Sequence, residues 1–388
     1  MAYHKYKADK IFTGITMLNG DKVLICKTNG EIEAIVNDNE AGDDIRNFNG
    51  IISPGLVNAH CHLELSYLKG VIPEKTGMID FLLGVIKRRN FDEELRLQAI
   101  ETADNEMLRS GIVAVGDICN GSDTVRQKSR SEIIYRNFIE AAGFPESVAE
   151  SRLSNAIKVA EIFRSELGNS ALVDIVPHAP YSVSGKLMDL INDLGADYVS
   201  IHNQETEDEN EFLQSKSGSF LRLYEELGSD MSSFIPTGVS SLQSFLPHFS
   251  GKRSMMMVHN IASSQDDIDF SKKYQAVDFG NMYWCFCPNA NQYINGTIPD
   301  VRMFERNNCN IVLGTDSLAS NHQLDLVNEI RTLRKFYPEL NIANVLRWCT
   351  MNGARALGLE EQLGSLDKGK QPGVVVIDGD LGNIKRLI

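Results

Sequence analysis

The sequence predicts an α/β protein: a (β/α)8, or TIM, barrel carrying a small β-sandwich built from both ends of the chain. Three observations carry that expectation. Apolar runs that read as buried strands alternate with amphipathic helical stretches through the middle of the chain, as βα units on a parallel sheet do. Eight such strands can be placed, ending near Ala59, Ile118, Phe138, Val176, Ile201, Val258, Phe286 and Thr315. Histidines and an aspartate stand at several of these ends, where an eight-stranded barrel keeps its chemistry.

Residues 3–52 read as short strands broken by turns. KADKIFTGITML leads to Asn19-Gly20, DKVLICKT to Asn29-Gly30, and EIEAIV closes the run; each Asn-Gly is a hairpin signal. Residues 51–70, IISPGLVNAHCHLELSYLKG, pass Pro54 and Gly55 and enter a strand ending on His60-Cys61-His62. Alternate strand residues share a face, so His60 and His62 can present two imidazoles to one ion. Apolar residues at helical spacing mark ELRLQAIETADNEMLRSG, SVAESRLSNAIKVAEIFRSELG and LDLVNEIRTLRKFY. The stretch 228–250 is a longer connection before the sixth strand that could shape a pocket. At the far end, LGSLDKGKQPGVVVID offers turns and a buried-strand run from Val374 to Ile377. Chain termini often lie together, so residues 1–52 and 364–388 are expected to form the small domain and 53–363 the barrel.

A chain of 388 residues with 43% hydrophobic and 23% charged residues and a mean hydropathy of -0.19 can bury a sizeable core. Its 38 basic and 52 acidic residues leave a net charge of -14, which repels phosphate backbones and anionic lipid surfaces. Nucleic acid and membrane partners are not expected. The start, MAYHKYKADKIFTG, has no apolar targeting core, and no run approaches the roughly 18 to 20 apolar residues of a membrane span; the expected location is the cytoplasm. The 7 cysteines are scattered without a C-x-x-C pair, which favours reduced core thiols over a disulfide framework. A homodimer is the expected assembly.

The remaining polar candidates stand at strand ends: His178 in DIVPHAPYS, His202 in YVSIHNQETEDENEF, His259 in MMMVHNIAS and Asp316 in IVLGTDSLASNH. A single such histidine is ordinarily a hydrogen-bonded core or rim residue. His60, His62, His178, His202 and His259 together are not, because chance would scatter them as His4 and His248 are scattered. Three imidazoles and a carboxylate suit one divalent transition metal, zinc first, with iron(II) or manganese(II) as alternatives. His60, His62, His202 and Asp316 are assigned as its ligands. Such an ion lowers the pKa of bound water towards about 7 and creates a hydrolytic nucleophile. Glu205, three residues beyond His202, can reach back over the pocket as a proton shuttle. Since TEDENEF also reads as a solvated helix face, Glu207, Asp208 and Glu209 stand as alternatives.

In this order, NAHCHLELS, PHAPYS, SIHNQETEDE, VHNIA and GTDSLASN resemble the amidohydrolase superfamily, in its cytosine, guanine and S-adenosylhomocysteine deaminase branch. HLELS followed by Lys69-Gly70 is similar to aminodeoxyfutalosine deaminases. The resemblance implies a single ion on His60, His62, His202 and Asp316, since the lysine that bridges two ions at the fourth strand is absent from VDIVPHAPY. It implies that His259 orients or deprotonates the water, that Glu205 is the family glutamate, and that His178 touches the substrate's ring or ribose. The implied activity is hydrolytic deamination of an amino-substituted purine or related heterocycle, an adenine-ring nucleoside favoured. Activated water attacks the amine-bearing carbon, His259 and Asp316 take its proton, Glu205 protonates the ring nitrogen, and ammonia leaves. Chloride displacement or cyclic amide hydrolysis at the same site is the enzymatic alternative, and a non-catalytic barrel relative the other. GKQPG replaces the family's usual GKxAD at Gly369 to Gly373, which weakens the assignment of the last strand. Glu64 is read as a ribose contact or a backbone cap, and Arg88, Arg89 and Arg136 as surface residues or carboxylate partners; all four stay outside the site. GSLDKGK lacks the Ser or Thr of a phosphate loop, and His62-Leu63-Glu64 lacks the P-C-x-x-C of the nucleic-acid-editing zinc deaminases.

Overall fold

The computed structural model describes residues 3–88 and 91–388. Its centre holds eight strands: β1 (Leu56–Cys61), β2 (Ile112–Cys119), β3 (Ile134–Ala141), β4 (Leu172–Pro177), β5 (Tyr198–Asn203), β6 (Lys252–His259), β7 (Phe279–Phe286) and β8 (Asn310–Leu313). They lie within a few residues of the expected ends. Strands β1 to β4 form one parallel sheet and β5 to β8 another. The sheets meet along both edges. His202 N donates to His178 O at 2.9 Å, joining β5 to the end of β4, while Thr315 N and Asp316 N donate to His60 O at 3.0 and 3.1 Å, joining β8 to β1.

Alternation divides the apolar residues between two clusters. Val57, Ala114, Phe138, Val176, Tyr198, Met256, Tyr283 and Val312, one from each strand, share a single buried cluster. Leu56, Ile139, Val199 and Trp284 point the other way and pack with Ile100, Phe163, Leu187 and Leu333 of the surrounding helices. Two of those helices begin at side-chain caps: Asp92 accepts from Leu95 N ahead of 93–109, and Asp325 from Val327 N ahead of 326–336.

Two smaller sheets flank this centre. Val374–Ile377 runs antiparallel to Ile51–Pro54, which lies parallel to Lys10–Phe12, so the two ends of the chain share a five-stranded sheet. The GKQPG departure does not disturb it, because Gly55 N donates to Pro372 O and Gly373 O at 3.1 and 3.3 Å. A four-stranded sheet packs beside it through Tyr6, Leu24 and Cys26 against Ile11, Ile52 and Val376. Asn29-Gly30 turns the antiparallel pair Lys22–Lys27 and Ile32–Asn37, with Gly30 at φ +87. Asn19-Gly20 does not make the expected hairpin: Met17–Asn19 pairs with Lys10–Phe12, and the turn carries the chain across to the other sheet. All seven cysteines are free and all but Cys309 are buried. No helix among the described residues is long and apolar enough to cross a membrane.

Candidate active site

The site begins with an irregularity in β1. Val57 and Ala59 belong to the inner cluster and Cys61 to the outer one, so regular alternation would turn His60 outward with Asn58. The pairing with β2 shifts register between Asn58 and Cys61, and such a bulge re-aims the side chains that follow it. His60 and His62 therefore both face inward. The neighbouring seam fixes them, since Asn58 Nδ2 donates to Thr315 Oγ1 at 2.8 Å and Asn58 Oδ1 accepts from Thr315 N at 3.1 Å. Gly314 permits the close approach of β8, as a Cβ there would stand 2.8 Å from the His60 Cβ and 3.0 Å from Cys287 Sγ.

Four predicted ligands converge at this end. His62 Nε2 lies 3.1 Å from His202 Nε2, and Asp316 Oδ1 lies 3.6 Å from His62 Nε2 and 3.8 Å from His60 Nε2. The His60 ring is 5.0 Å from those of both His62 and His202, centroid to centroid. Both His60 ring nitrogens are buried with no hydrogen-bond partner among the described residues, a costly arrangement unless something else meets them. Burial first, then the neighbouring imidazoles, holds His60 well below its ordinary pKa, and burial brings His202 down to about 4. The rings are thus neutral and able to donate lone pairs to a cation. His202 Nδ1 is committed to the His178 carbonyl at 2.8 Å, which leaves Nε2 to face His62 and fixes the ring as an outer partner of a metal ligand does. These observations fit a metal ion on His60, His62, His202 and Asp316.

Glu205 and His259 stand beside this cluster. Glu205 is 3% exposed and its Oε1 lies 3.6 Å from His259 Nε2. Burial, then the charges of Asp316 and Glu209, pushes the Glu205 carboxyl well above its ordinary value. The Asn291 amide lies 3.0 Å from His259 Nδ1 and orients the ring. Burial also raises Asp316, whose Oδ2 accepts from Ser320 Oγ at 2.7 Å. A cavity of about 490 Å³ reaches His62, His178, His202, Glu205, His259 and Asp316, and extends along Met78, Phe81, Val85, Phe144, Leu223 and Leu227. The connection 228–250 contributes Ser229 to its rim.

His178 faces the cavity, its Nδ1 2.5 Å from Ser182 Oγ, while its carbonyl holds His202. It thus lines the cavity and supports His202 through its backbone carbonyl. Glu64 lines the cavity but caps backbone: its Oε2 accepts from Asn120 N and Gly121 N at 3.0 and 3.2 Å. Arg88 is exposed and bonds Gly84 O, and Arg89 lies outside the described residues. Arg136 is neither on the surface nor at the site. It is buried at the opposite end of the strands, ion-paired with Asp174 at 2.5 Å and 3.7 Å from the centre of the Tyr198 ring.

Two acidic residues were not anticipated in these positions. Glu140 lines the cavity near the end of β3, its Oε1 3.6 Å from His202 Nδ1 and its Oε2 accepting from Asn120 Nδ2 at 3.0 Å. A single charge at the end of the buried run FIEA was the signal for it. Asp117 takes Leu63 N at 2.8 Å, just beyond His62, and Lys128 Nζ at 2.5 Å.

Residues 51–387 match the model of the Amidohydrolase family. Over 349 residues, 85% of this chain and 75% of the relative, the chain is 27% identical to a 5'-deoxyadenosine deaminase of Methanococcus maripaludis. Its fold is similar to that of the Helicobacter pylori aminofutalosine deaminase, with a TM-score of 0.80, 20% identity and 100% of both chains covered. It is also similar to a zinc-bound adenosine deaminase from Xanthomonas campestris, with a TM-score of 0.69, 22% identity and coverage of 96% of this chain and 84% of that one.

Proposed function

The chain belongs to the amidohydrolase family, and we propose that it is a metal-dependent hydrolytic deaminase of an adenine nucleoside derivative, cleaving a carbon–nitrogen bond and releasing ammonia. The observation that carries this reading is the convergence of His60, His62, His202 and Asp316 at one end of a cavity lined by His62, His202, Asp316, Glu205 and His259. Deaminases of 5'-deoxyadenosine, aminofutalosine and adenosine among its relatives support the substrate class. The eight central strands are read as a closed (β/α)8 barrel over residues 53–363, with 1–52 and 364–388 as the small β-sandwich domain.

His60, His62, His202 and Asp316 would hold one divalent ion, zinc by its donor preference and by the zinc-bound relative. When bound, that ion supplies a water acidic enough to lose its proton near neutral pH. His259 and Asp316 accept the proton from the attacking water. Glu205, whose protonated form burial favours, gives its proton to the ring nitrogen beside the carbon under attack and so draws off the electron pair. The amine takes the proton held by His259 and Asp316 and leaves as ammonia, while the hydroxyl left on the carbon returns its proton to Glu205 and becomes the ring carbonyl. His178 contacts the ring or ribose and, through its carbonyl, keeps His202 aimed.

The test is ammonia release by the purified protein over adenosine, 5'-deoxyadenosine, methylthioadenosine, cytosine, guanine, a chlorotriazine and a cyclic amide, with elemental analysis of the same preparation. Release from adenine nucleosides by a protein carrying about one transition metal is expected. Turnover of the triazine or the amide alone, or protein active without metal, contradicts the proposal.

A further inference from the structure

The sequence Thr206-Glu207-Asp208-Glu209 has the spacing of a capping box, in which the third helical residue reaches back to the amide of the cap. The helix Glu207–Ser215 begins there, yet Thr206 makes no side-chain cap bond. Glu209 reaches past Thr206 instead: Oε1 accepts from Gln204 N at 2.9 Å and Oε2 from Glu205 N at 3.1 Å. The carboxylate is fully buried, and Ser241 Oγ, from the helix Ser241–Phe245 in the long connection before β6, donates to it as well.

The turn so held is strained. Gln204 sits at φ +48, a region that costs a non-glycine residue of order 1–3 kcal/mol and persists only where the surroundings over-determine it. Here they do, since Gln204 Nε2 donates to Asn210 and Asp267 and its Oε1 accepts from Asn203 and Ser263. Ordinary capping would need neither the bypass of Thr206 nor the amide of Glu205.

We propose that Glu209 is a positioning residue: by clamping the amides of Gln204 and Glu205 it aims the Glu205 carboxyl at the reacting ring. The inference rests on the reading of Glu205 as the proton-transfer group. It gives the connection 228–250 a role through Ser241, and it makes Glu209 a support for the shuttle instead of an alternative to it.

The experiment is a double-mutant cycle of Glu205→Gln and Glu209→Gln, assayed by ammonia release from the best adenine nucleoside with metal content measured throughout. Glutamine at 209 places an NH2 group against one of the two amides and opens the clamp. A misplacement on the order of 1 Å costs about 10²-fold, so kcat of Glu209→Gln should fall about 10²-fold, with KM within about twofold and metal content unchanged. In the Glu205→Gln background the same substitution should cost less than about twofold, because nothing remains to be aimed. Additive losses, an unchanged kcat, or a fall that tracks lost metal overturns the clamp. Glu209→Asp keeps the charge, shortens the reach and should give the same split if Glu209→Gln does not fold. Asp104→Asn removes a buried carboxylate that takes Tyr135, Ser131 and Gln127 away from the cavity; it should lower Tm with kcat unchanged. If Glu205→Gln alone retains full activity, the underlying reading fails; if it is inactive and Glu209→Gln is not, only the clamp fails.

Discussion

The histidines that would hold the ion and the groups that would move protons sit on different kinds of backbone. His60, His62 and His202 lie at or just past the ends of β1 and β5 and are aimed by register, by one bulge and by the seam to β8. The groups proposed to handle protons lie where the chain turns left-handed: His259 has φ +78, Asp316 φ +56, and Gln204, immediately before Glu205, φ +48. Non-glycine residues rarely adopt this conformation, and where they do, it clusters at functional sites. The contrast teaches that strand geometry would build the proposed metal cradle, whereas Glu209, Asn291 and Ser320 hold the Glu205 amide, the His259 ring and the Asp316 carboxylate by hydrogen bonds. Asp316 belongs to both groups.

The largest effect should come from the cradle. His60→Ala should lose metal and ammonia release together, to background, in elemental analysis and assay of one preparation; a metal-free variant that still turns over breaks the division. Next is His259→Asn, which suits the left-handed backbone and so separates chemistry from strain. Its kcat should fall about 10²- to 10⁴-fold with metal retained, and loss of the metal would move His259 into the cradle.

Supports of the cradle should appear as stability. The pair Lys128 and Asp117 is fully buried at 2.5 Å, and removing one partner of such a pair costs about 3–5 kcal/mol. Lys128→Ala should show that loss in chemical denaturation, and a change under about 1 kcal/mol would contradict the role given to it. A pH dependence is expected at Glu329, which accepts from Asn289 N, Asn289 Nδ2 and Asn321 Nδ2 in the segments that follow β7 and β8 and which burial pushes up to about 8. The folded chain keeps this proton until about pH 8, whereas the unfolded chain releases it near 4.5. Between those values the folded state binds more protons, so stability falls as pH rises. The stability of native protein relative to Glu329→Gln should therefore decline from pH 4.5 to 8, and a native stability that rises relative to the variant in that window refutes the assignment.

Much of the candidate metal cradle was legible in the sequence. His-x-His at a strand end, with His202 and Asp316 at two others, needs only strand periodicity. The bulge in β1 was not legible, because NAHCH reads the same with His60 turned either way and only pairing with β2 decides it. Turn chemistry also ran out at Asn19-Gly20, where two residues specify a reversal but not which sheet the next strand joins. Arg136 illustrates the limit for charges, since its partners Asp174 and Tyr198 come from other strands. Glu209 was concealed for a different reason. In TEDENEF every acid has the composition of a solvated helix face, and its burial depends on Ser241 and two amides brought in by the fold.

The division between holding metal and moving protons is tested most directly at Glu205, by measuring metal content and ammonia release on one preparation of Glu205→Gln. The account predicts the native metal-to-protein ratio and a kcat lower by about 10²- to 10⁴-fold. Native turnover, or a loss of activity that follows a loss of metal, would contradict it.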